Sequence, residues 1–124
     1  MKIEALTVCV NYADFLAPVL AFNQKLFDRL LVVTAPADKA TQELCAREKI
    51  DCLVTDTFYR NGKRFAKSAG INDGLAKLSC ADWVCLLDSD IVLPPQTRQV
   101  LERAELDPQC LYGIDRLMCP SWEA

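Results

Sequence analysis

Residues 83–90 read Trp-Val-Cys-Leu-Leu-Asp-Ser-Asp, an apolar run that ends in two carboxylates one residue apart. The apolar part predicts a buried β-strand. Asp88 and Asp90 place negative charge where apolar packing stops, and a divalent cation, which prefers oxygen ligands, is a suitable partner for such a pair. Acidic residues after a strand also act as turn formers or helix caps, so the short pattern alone leaves both roles open.

The rest of the chain alternates between strand-like apolar runs and helical patterns. The runs predict strands at residues 3–10, 30–34, 50–54, 83–87 and 110–117. The helical patterns predict helices at residues 14–27, 38–49, 65–78 and 95–104. Between them, residues 55–63 form a polar loop with a predicted turn at Asn61 and Gly62.

Two of the predicted helices contain proline or glycine residues, which affect where a helix can begin and how stable it is. In the first, Asp14 is the predicted cap and Pro18 is acceptable only in the first turn. Its predicted apolar face comprises Phe15, Leu16, Val19, Leu20, Leu26 and Phe27. In the third, Gly70 and Gly74 either weaken the helix or allow a close approach to another group. Its predicted face comprises Phe65, Ala69, Asn72, Leu75 and Leu78.

Strands that alternate with helices predict parallel pairing through right-handed crossovers. We therefore expect residues 1–124 to form a single α/β domain, with an open, mainly parallel sheet and helices on both faces. Ligands of such sheets bind beyond the carboxyl ends of the strands. Asn11, Tyr12, Thr55 and Asp88 all follow predicted strands, so they should gather along one edge.

Composition excludes several classes of function. The chain has 124 residues, of which 52% are hydrophobic, and a net charge of −3, with its lysines and arginines scattered. This pattern indicates a real core and argues against a nucleic-acid partner. No run approaches the roughly 20 apolar residues of a membrane span, and the first residues resemble a strand rather than a signal peptide. A cytoplasmic protein without a membrane span is therefore expected.

Seven cysteines raise the question of disulfides or a metal site, and the chain has no histidine. They are spread along the chain without a Cys-x-x-Cys pair. Several lie in apolar strand runs, where a free thiol acts as a small core residue. We interpret them as structural thiols in a reducing compartment. The seven are Cys9, Cys45, Cys52, Cys80, Cys85, Cys110 and Cys119.

Three stretches together resemble a known family. Residues 6–12 read Leu-Thr-Val-Cys-Val-Asn-Tyr, residues 65–75 read Phe-Ala-Lys-Ser-Ala-Gly-Ile-Asn-Asp-Gly-Leu, and residues 84–90 end in Asp-Ser-Asp. Their order and spacing resemble the donor-binding half of the GT-A type nucleotide-sugar glycosyltransferases, and within them the family 2 group. The second stretch is similar to that family's Asn-Lys-Gly/Ser segment, and the third is similar to its Asp-x-Asp motif.

The resemblance implies a glycosyltransferase-like domain that binds a nucleotide-diphosphate sugar, with a UDP-sugar as the first candidate. By matched position, Asn11 and Tyr12 would lie against the base, and Lys67 near the nucleotide or its phosphates. Asp88 would contact the ribose or the metal, and Asp90 would be the direct ligand of a Mn or Mg ion that bridges to the diphosphate. A lysine in this position is equally explained as a solvated charge.

A second basic group lies just before Lys67. Arg60, Lys63 and Arg64 could help to hold phosphate, although a solvated loop also explains them.

The chain departs from the family pattern at several points. The family's second strand commonly ends in an acidic residue that reads uracil, whereas residues 34–36 here are Thr-Ala-Pro. Asp38 is displaced from that position and could equally be a helix N-cap. Ala66 stands where the family often has Asn. Asp115 and Glu123 are the acidic residues weighed as a general base, and neither is convincing, so the catalytic residue and the acceptor stay unidentified.

Alternatives follow from the short chain. It could be a piece of a longer enzyme or a compact donor-binding module, and apolar surface on a shortened sheet predicts a homo-oligomer. A non-catalytic interaction or ligand-binding module that keeps the fold is the main alternative function. Residues 88–92 also match an Asp-x-Asp-x-Val phosphatase loop, but that motif closes a first strand and needs downstream residues that this chain lacks.

Overall fold

A computed structural model describes residues 1–62, 64–79, 82–115 and 117–118. The strands are β1 Ile3–Val8, β2 Arg29–Thr34, β3 Asp51–Val54 and β4 Trp83–Leu86. The helices are α1 Ala13–Asn23, α2 Lys39–Glu48, α3 Lys67–Leu75 and α4 Thr97–Arg103, with 3-10 turns at Gln24–Leu26 and Thr57–Gly62.

The described strands form one sheet in the order β3-β2-β1-β4, and every pairing is parallel. Leu6 of the central strand β1 pairs with Leu31 of β2 on one side and with Leu86 of β4 on the other. Every residue of β1 is buried, because strands with crossover helices on both faces meet no water in the middle of the sheet. The predicted parallel α/β sheet is confirmed.

The side chains of β1 and β2 alternate between two apolar cores. On one face Ala5 and Val32 pack with Leu16 and Leu20 of α1 and with Leu44 of α2. On the opposite face a second core lies beneath α3 and the Thr57–Gly62 turn. Its buried members are Leu6, Val8, Val10, Leu31, Val33, Ala35 and Phe58. Helices therefore cover both faces, as the alternating pattern predicted.

Helix α1 begins earlier than predicted. Its N-cap is Tyr12 rather than Asp14, which lies in the first turn, so Pro18 falls in the helix interior instead of the first turn. The buried side chains Leu16, Val19, Leu20 and Asn23 follow the helical i, i+3, i+4, i+7 spacing. Phe15, predicted to belong to this face, is 52% exposed.

Helix α3 packs through its glycines, so the predicted face was wrong in part, although its member Leu78 packs against the second core. Gly70 and Gly74 are the buried residues of this helix, whereas Phe65 and Leu75 of the predicted face are exposed. A Cβ atom built on Gly70 would overlap the ring of the fully buried Phe58. Close approach of the helix to the sheet, the second of the two explanations offered for these glycines, is the one the packing supports.

Gly74→Ala is expected to lower the free energy of unfolding by about 1–2 kcal/mol, because the new methyl group would overpack a filled core. A Cβ at Gly74 would lie 2.5 Å from Leu6 Cδ1 and 2.8 Å from Val33 Cγ2. Urea denaturation of the two proteins measures the change. Gly113→Ala is the matched control, since a Cβ there meets no atom within 4 Å. Equal stability of the Gly74 and Gly113 variants would contradict the packing argument.

The predicted strand at residues 110–117 is absent from the described part of that range, which pairs with no strand. Leu111 and Leu117 are 98% and 97% exposed, and the contact this segment makes with the sheet is between the rings of Tyr112 and Trp83, whose centres lie 5.9 Å apart. An apolar run becomes a strand only where a partner strand accepts its hydrogen bonds. Asp115, weighed as a general base, is exposed in this segment, and Glu123 lies outside the described residues.

Four of the cysteines pack in the core, three of them in the predicted strand runs and the fourth, Cys45, in α2. Cys9 and Cys45 are buried, and Cys52 and Cys85 pack against the same core as free thiols. Burial raises the pKa of Cys9 and of Cys85, which keeps both thiols protonated at neutral pH. Cys110 is free and exposed, while Cys80 and Cys119 lie outside the described residues.

None of the helices in the described ranges combines the length and the apolar character that a membrane span needs.

Candidate functional site

The carboxyl ends of the four described strands lie at one edge of the sheet, because all of them run parallel. Asn11 follows β1, Thr55 follows β3 and Asp88 follows β4, so the predicted site residues share this edge. Ligands of open α/β sheets bind at this edge.

Asp88 is held by Lys67, the first residue of α3. Lys67 Nζ donates a hydrogen bond to Asp88 Oδ1 at 2.5 Å, and the two side chains are 49% and 46% exposed. The lysine is thus half-exposed to solvent and also forms an ion pair with the acidic motif. Its ammonium group lies at the acidic motif and joins the N-terminus of α3 to the end of β4.

Asp90 is exposed two residues further along, and the chain turns between the two carboxylates. The backbone N–H of Ile91 donates to the carbonyl of Asp88 at 3.3 Å. The following segment is anchored by the buried Asn23 of α1, whose Nδ2 donates to the carbonyl of Ile91 at 2.7 Å. The N–H of Leu93 donates to Asn23 Oδ1 at 2.9 Å. The side-chain amide of Asn23 thus anchors the segment that follows the acidic motif.

Asn11 has a left-handed backbone conformation, with φ of 65°, which asparagine tolerates better than most residues. Its backbone N–H donates to Asp38 Oδ2 at 2.8 Å. Tyr12 caps α1, is 56% exposed, and its ring lies 5.8 Å from the ring of Phe15. The structure thus separates the two predicted base contacts: Asn11 faces a cavity, and Tyr12 packs beside α1.

Asp38 organises the ends of β1 and β2. Its Oδ2 accepts hydrogen bonds from the hydroxyls of Thr41 at 2.6 Å and Thr34 at 3.0 Å, as well as from Asn11. Its Oδ1 accepts from the backbone N–H of Thr41 at 3.1 Å, so Asp38 is the N-cap of α2. Burial raises the pKa of this carboxyl, but the hydrogen bonds from Thr41, Asn11 and Thr34 outweigh it and the net pKa is lowered. The N-cap interpretation of Asp38 is confirmed.

A cavity of about 420 Å³ opens beside Asn11 and Asp38, between the ends of β1, β2 and β3. Its far wall includes Asp56, Tyr59 and Arg60. Arg60 Nη2 contacts Asp56 Oδ1 at 2.5 Å, and this contact lowers the pKa of Asp56. The cavity presents apolar walls with a few polar groups, which is typical of a small-molecule site.

The basic group of the loop is therefore divided. Arg60 is paired with Asp56 at the cavity wall, Arg64 is exposed, and Lys63 lies outside the described residues.

The donor atoms at this edge fit a hard divalent cation only in part. Within the described ranges, no three His, Cys, Asp or Glu side chains are grouped so that they could hold a metal ion. Asp88 and Asp90 supply carboxylate oxygens, which Mg²⁺ and Mn²⁺ favour. The remaining ligands would have to be phosphate oxygens and water, as is usual for Mg²⁺ sites built from one or two carboxylates. The two carboxylates therefore supply part of the ligand set that such an ion needs.

Two features of this edge were missed from sequence. Asn23 interrupts the apolar stripe of α1 one turn after Leu20, and a polar residue in such a stripe is a signal of a buried anchor. Thr55 Oγ1 donates to Asp73 Oδ2 at 2.7 Å and ties the end of β3 to α3. Nothing in the local pattern identified that second contact.

No protein-family model and no curated protein matches the chain. Solved structures do match. Glucosyl-3-phosphoglycerate synthase from Mycobacterium tuberculosis in complex with UDP aligns with a TM-score of 0.64 and 19% identity, over 84% of this chain and 41% of that one. The same enzyme with Mn²⁺, UDP and phosphoglyceric acid aligns with a TM-score of 0.61 and 20% identity, over 77% of this chain and 35% of that one.

Mannosyl-3-phosphoglycerate synthase from Rubrobacter xylanophilus aligns with a TM-score of 0.62 and 20% identity, over 77% of this chain and 33% of that one. The chain thus spans between about a third and two fifths of the length of these GT-A glycosyltransferases. At such identities the likeness concerns the fold. The parallel sheet with helices on both faces is the GT-A, Rossmann-like fold of these neighbours.

Proposed function

We propose that the chain binds a nucleoside diphosphate together with Mn²⁺ or Mg²⁺ at the carboxyl edge of its sheet, as the donor-binding part of a family 2 type glycosyltransferase. UDP or a UDP-sugar is the first candidate. One observation carries the proposal: the acidic motif, the lysine of α3 and a cavity beside Asn11 all lie along the same edge. The Mn²⁺ and UDP present in the solved neighbour support the choice of ligand.

Each residue has a separate part in this proposal. The base would enter the cavity beside Asn11, and Tyr12 would flank it at the N-terminus of α1. Lys67 would donate to the phosphates, Asp88 would contact the ribose or the metal, and Asp90 would bind the metal directly. The bound metal would supply positive charge to the diphosphate leaving group. Glycosyl transfer, its acceptor and its catalytic base belong to the proposal without an assigned residue.

Asp90→Asn is expected to weaken the binding of UDP in the presence of Mn²⁺ by about 10-fold or more, because the metal loses an anionic ligand. Calorimetric titration of UDP with and without Mn²⁺ measures the change. Glu48→Gln, at the opposite end of the sheet, removes an exposed carboxylate away from the site and serves as the control. Undiminished binding by the Asp90 variant would remove Asp90 from the site. A parent chain that binds no nucleotide even with metal would favour the non-catalytic interaction module.

A cytoplasmic location, a homo-oligomer and the absence of a nucleic-acid partner stay predictions.

A further inference from the structure

We propose that Lys67 is an internal counter-cation of Asp88 that gives way when the metal and the nucleotide arrive, so that the two ligands bind cooperatively. This inference rests on the proposed function, because it concerns the same edge of the sheet. The observation behind it is the 2.5 Å contact between Lys67 Nζ and Asp88 Oδ1, which joins residues 21 positions apart.

The pairing relieves two unfavourable arrangements of charge. Lys67 is the first residue of α3, where the helix dipole disfavours a cation. Asp88 and Asp90 are like charges one residue apart. An ammonium group between the start of the helix and the end of β4 offsets both effects. Gly70 of α3 packs on Phe58 and Gly74 packs on Leu6 and Val33 of the sheet, and this close packing of the helix keeps the lysine within reach of the motif.

The same contact opposes metal binding. A metal ion bound to Asp88 needs a carboxylate oxygen, and Oδ1 is the oxygen that Lys67 contacts. The ammonium group would compete with a metal ion for Asp88 and, without a nucleotide, would lie next to a second cation. Metal binding without nucleotide should therefore be weak.

A diphosphate changes this balance. The lysine is a point charge with three donors on a flexible four-carbon stem, so it can turn from the carboxylate to a phosphate oxygen. Asp88 Oδ1 would then be released to bind the metal, while the ammonium group would gain a new anionic partner. Each ligand thus increases the affinity of the chain for the other ligand. By thermodynamic linkage, the two affinities increase by the same factor.

Lys67→Met tests the exchange, because it removes the charge and keeps much of the apolar stem. We expect this variant to bind Mn²⁺ about 2- to 5-fold more tightly than the parent when UDP is absent, since a half-exposed ion pair opposes binding only modestly. With saturating Mn²⁺ it should bind UDP about 10-fold more weakly, since the phosphate loses a charged donor. Loss of the paramagnetic resonance signal of free Mn²⁺ measures the first change, and calorimetry the second.

Arg64→Met is the matched control, because it removes one positive charge from the segment that leads into α3, and Arg64 forms no ion pair with Asp88 among the contacts of the described residues. It should leave Mn²⁺ binding close to that of the parent. Equal or weaker Mn²⁺ binding by Lys67→Met would overturn the exchange, as would an equal gain in the Arg64 variant. If the parent fails to bind UDP, the proposed function fails. The measurement with Mn²⁺ alone still decides the role of Lys67.

Discussion

Asp38→Ala is expected to lower the free energy of unfolding by about 3 kcal/mol, because it leaves four donors without their acceptor. Those donors are the N–H groups of Asn11 and Thr41 and the hydroxyls of Thr34 and Thr41. Asp38 is only 4% exposed, so water can replace few of these bonds. The variant also removes the N-cap of α2, a contribution of about 1 kcal/mol in typical proteins. Urea denaturation at neutral pH measures the loss.

The same carboxylate predicts how stability changes with pH. Its pKa is lowered in the folded chain, so its contribution is complete above the ordinary aspartate pKa of about 3.9 and is lost as pH falls through the folded value. The stability difference between parent and Asp38→Asn should therefore be constant near neutral pH and shrink below about pH 4. Denaturant titrations at several pH values measure this trend.

Asp56→Asn is the control for both Asp38 experiments. Asp56 is also an aspartate at the cavity, but its side chain is 73% exposed and it pairs with the exposed Arg60. Its replacement should change stability by less than about 0.5 kcal/mol. A loss of equal size in the two variants would show that burial and the four hydrogen bonds of Asp38 do not set its contribution.

The architecture was predictable because continuous apolar runs alternate with helical patterns of period about 3.6 along the first half of the chain. For example, Val32 and Val33 are neighbours in β2, and their side chains lie in the two cores on opposite faces of the sheet. A strand that is buried on both faces requires this arrangement. The end of the chain gave no such information, because an apolar run at residues 110–117 becomes a strand only if a partner strand lies beside it. The sequence pattern identifies the secondary structure that a segment can form, and the presence of a partner strand decides whether a strand does form.

The face of α3 could not be predicted for a different reason. Hydrophobicity scales treat glycine as neutral, so Gly70 and Gly74 carry no apolar signal, although Gly70 packs on the ring of Phe58 and Gly74 packs on Leu6 and Val33 of the sheet. The prediction relied on larger residues such as Phe65 and Leu75, and both of them are exposed. Here the absence of a side chain, rather than its apolar character, determines which side of the helix faces the core.

The location of the candidate site was predictable, and its internal contacts were not. Parallel topology is sufficient to bring Asn11 and Asp88 to the same edge. The reach of a long side chain between two elements, as in the contact of Lys67 with Asp88, depends on the separation and orientation of α3 and β4. The contact of Glu4 was equally impossible to predict from sequence. Glu4 lies fully buried in β1 and accepts a hydrogen bond from Ser79 Oγ at 3.0 Å, and no local pattern predicts this bond.

Asn23→Ala is expected to lower the free energy of unfolding by about 2–4 kcal/mol, because it leaves two backbone groups unpaired in a buried place. Those groups are the carbonyl of Ile91 and the N–H of Leu93, and the Leu93 side chain lies in the core. Asn23 is 2% exposed, so water has little access to the vacated position. Urea denaturation measures the stability of parent and variant.

The same variant should also weaken the proposed metal site, since residues 91–93 directly follow Asp90 and lose their anchor to α1. We expect Mn²⁺ in the presence of UDP to bind about 3- to 10-fold more weakly, at a temperature where the variant is still folded. Gln24→Ala is the control, because Gln24 is the exposed neighbour that ends α1. An Asn23 variant as stable as the Gln24 variant would contradict the anchor. Lower stability with unchanged Mn²⁺ binding would show that the anchor serves the fold alone, because the two carboxylates would then keep their positions without it.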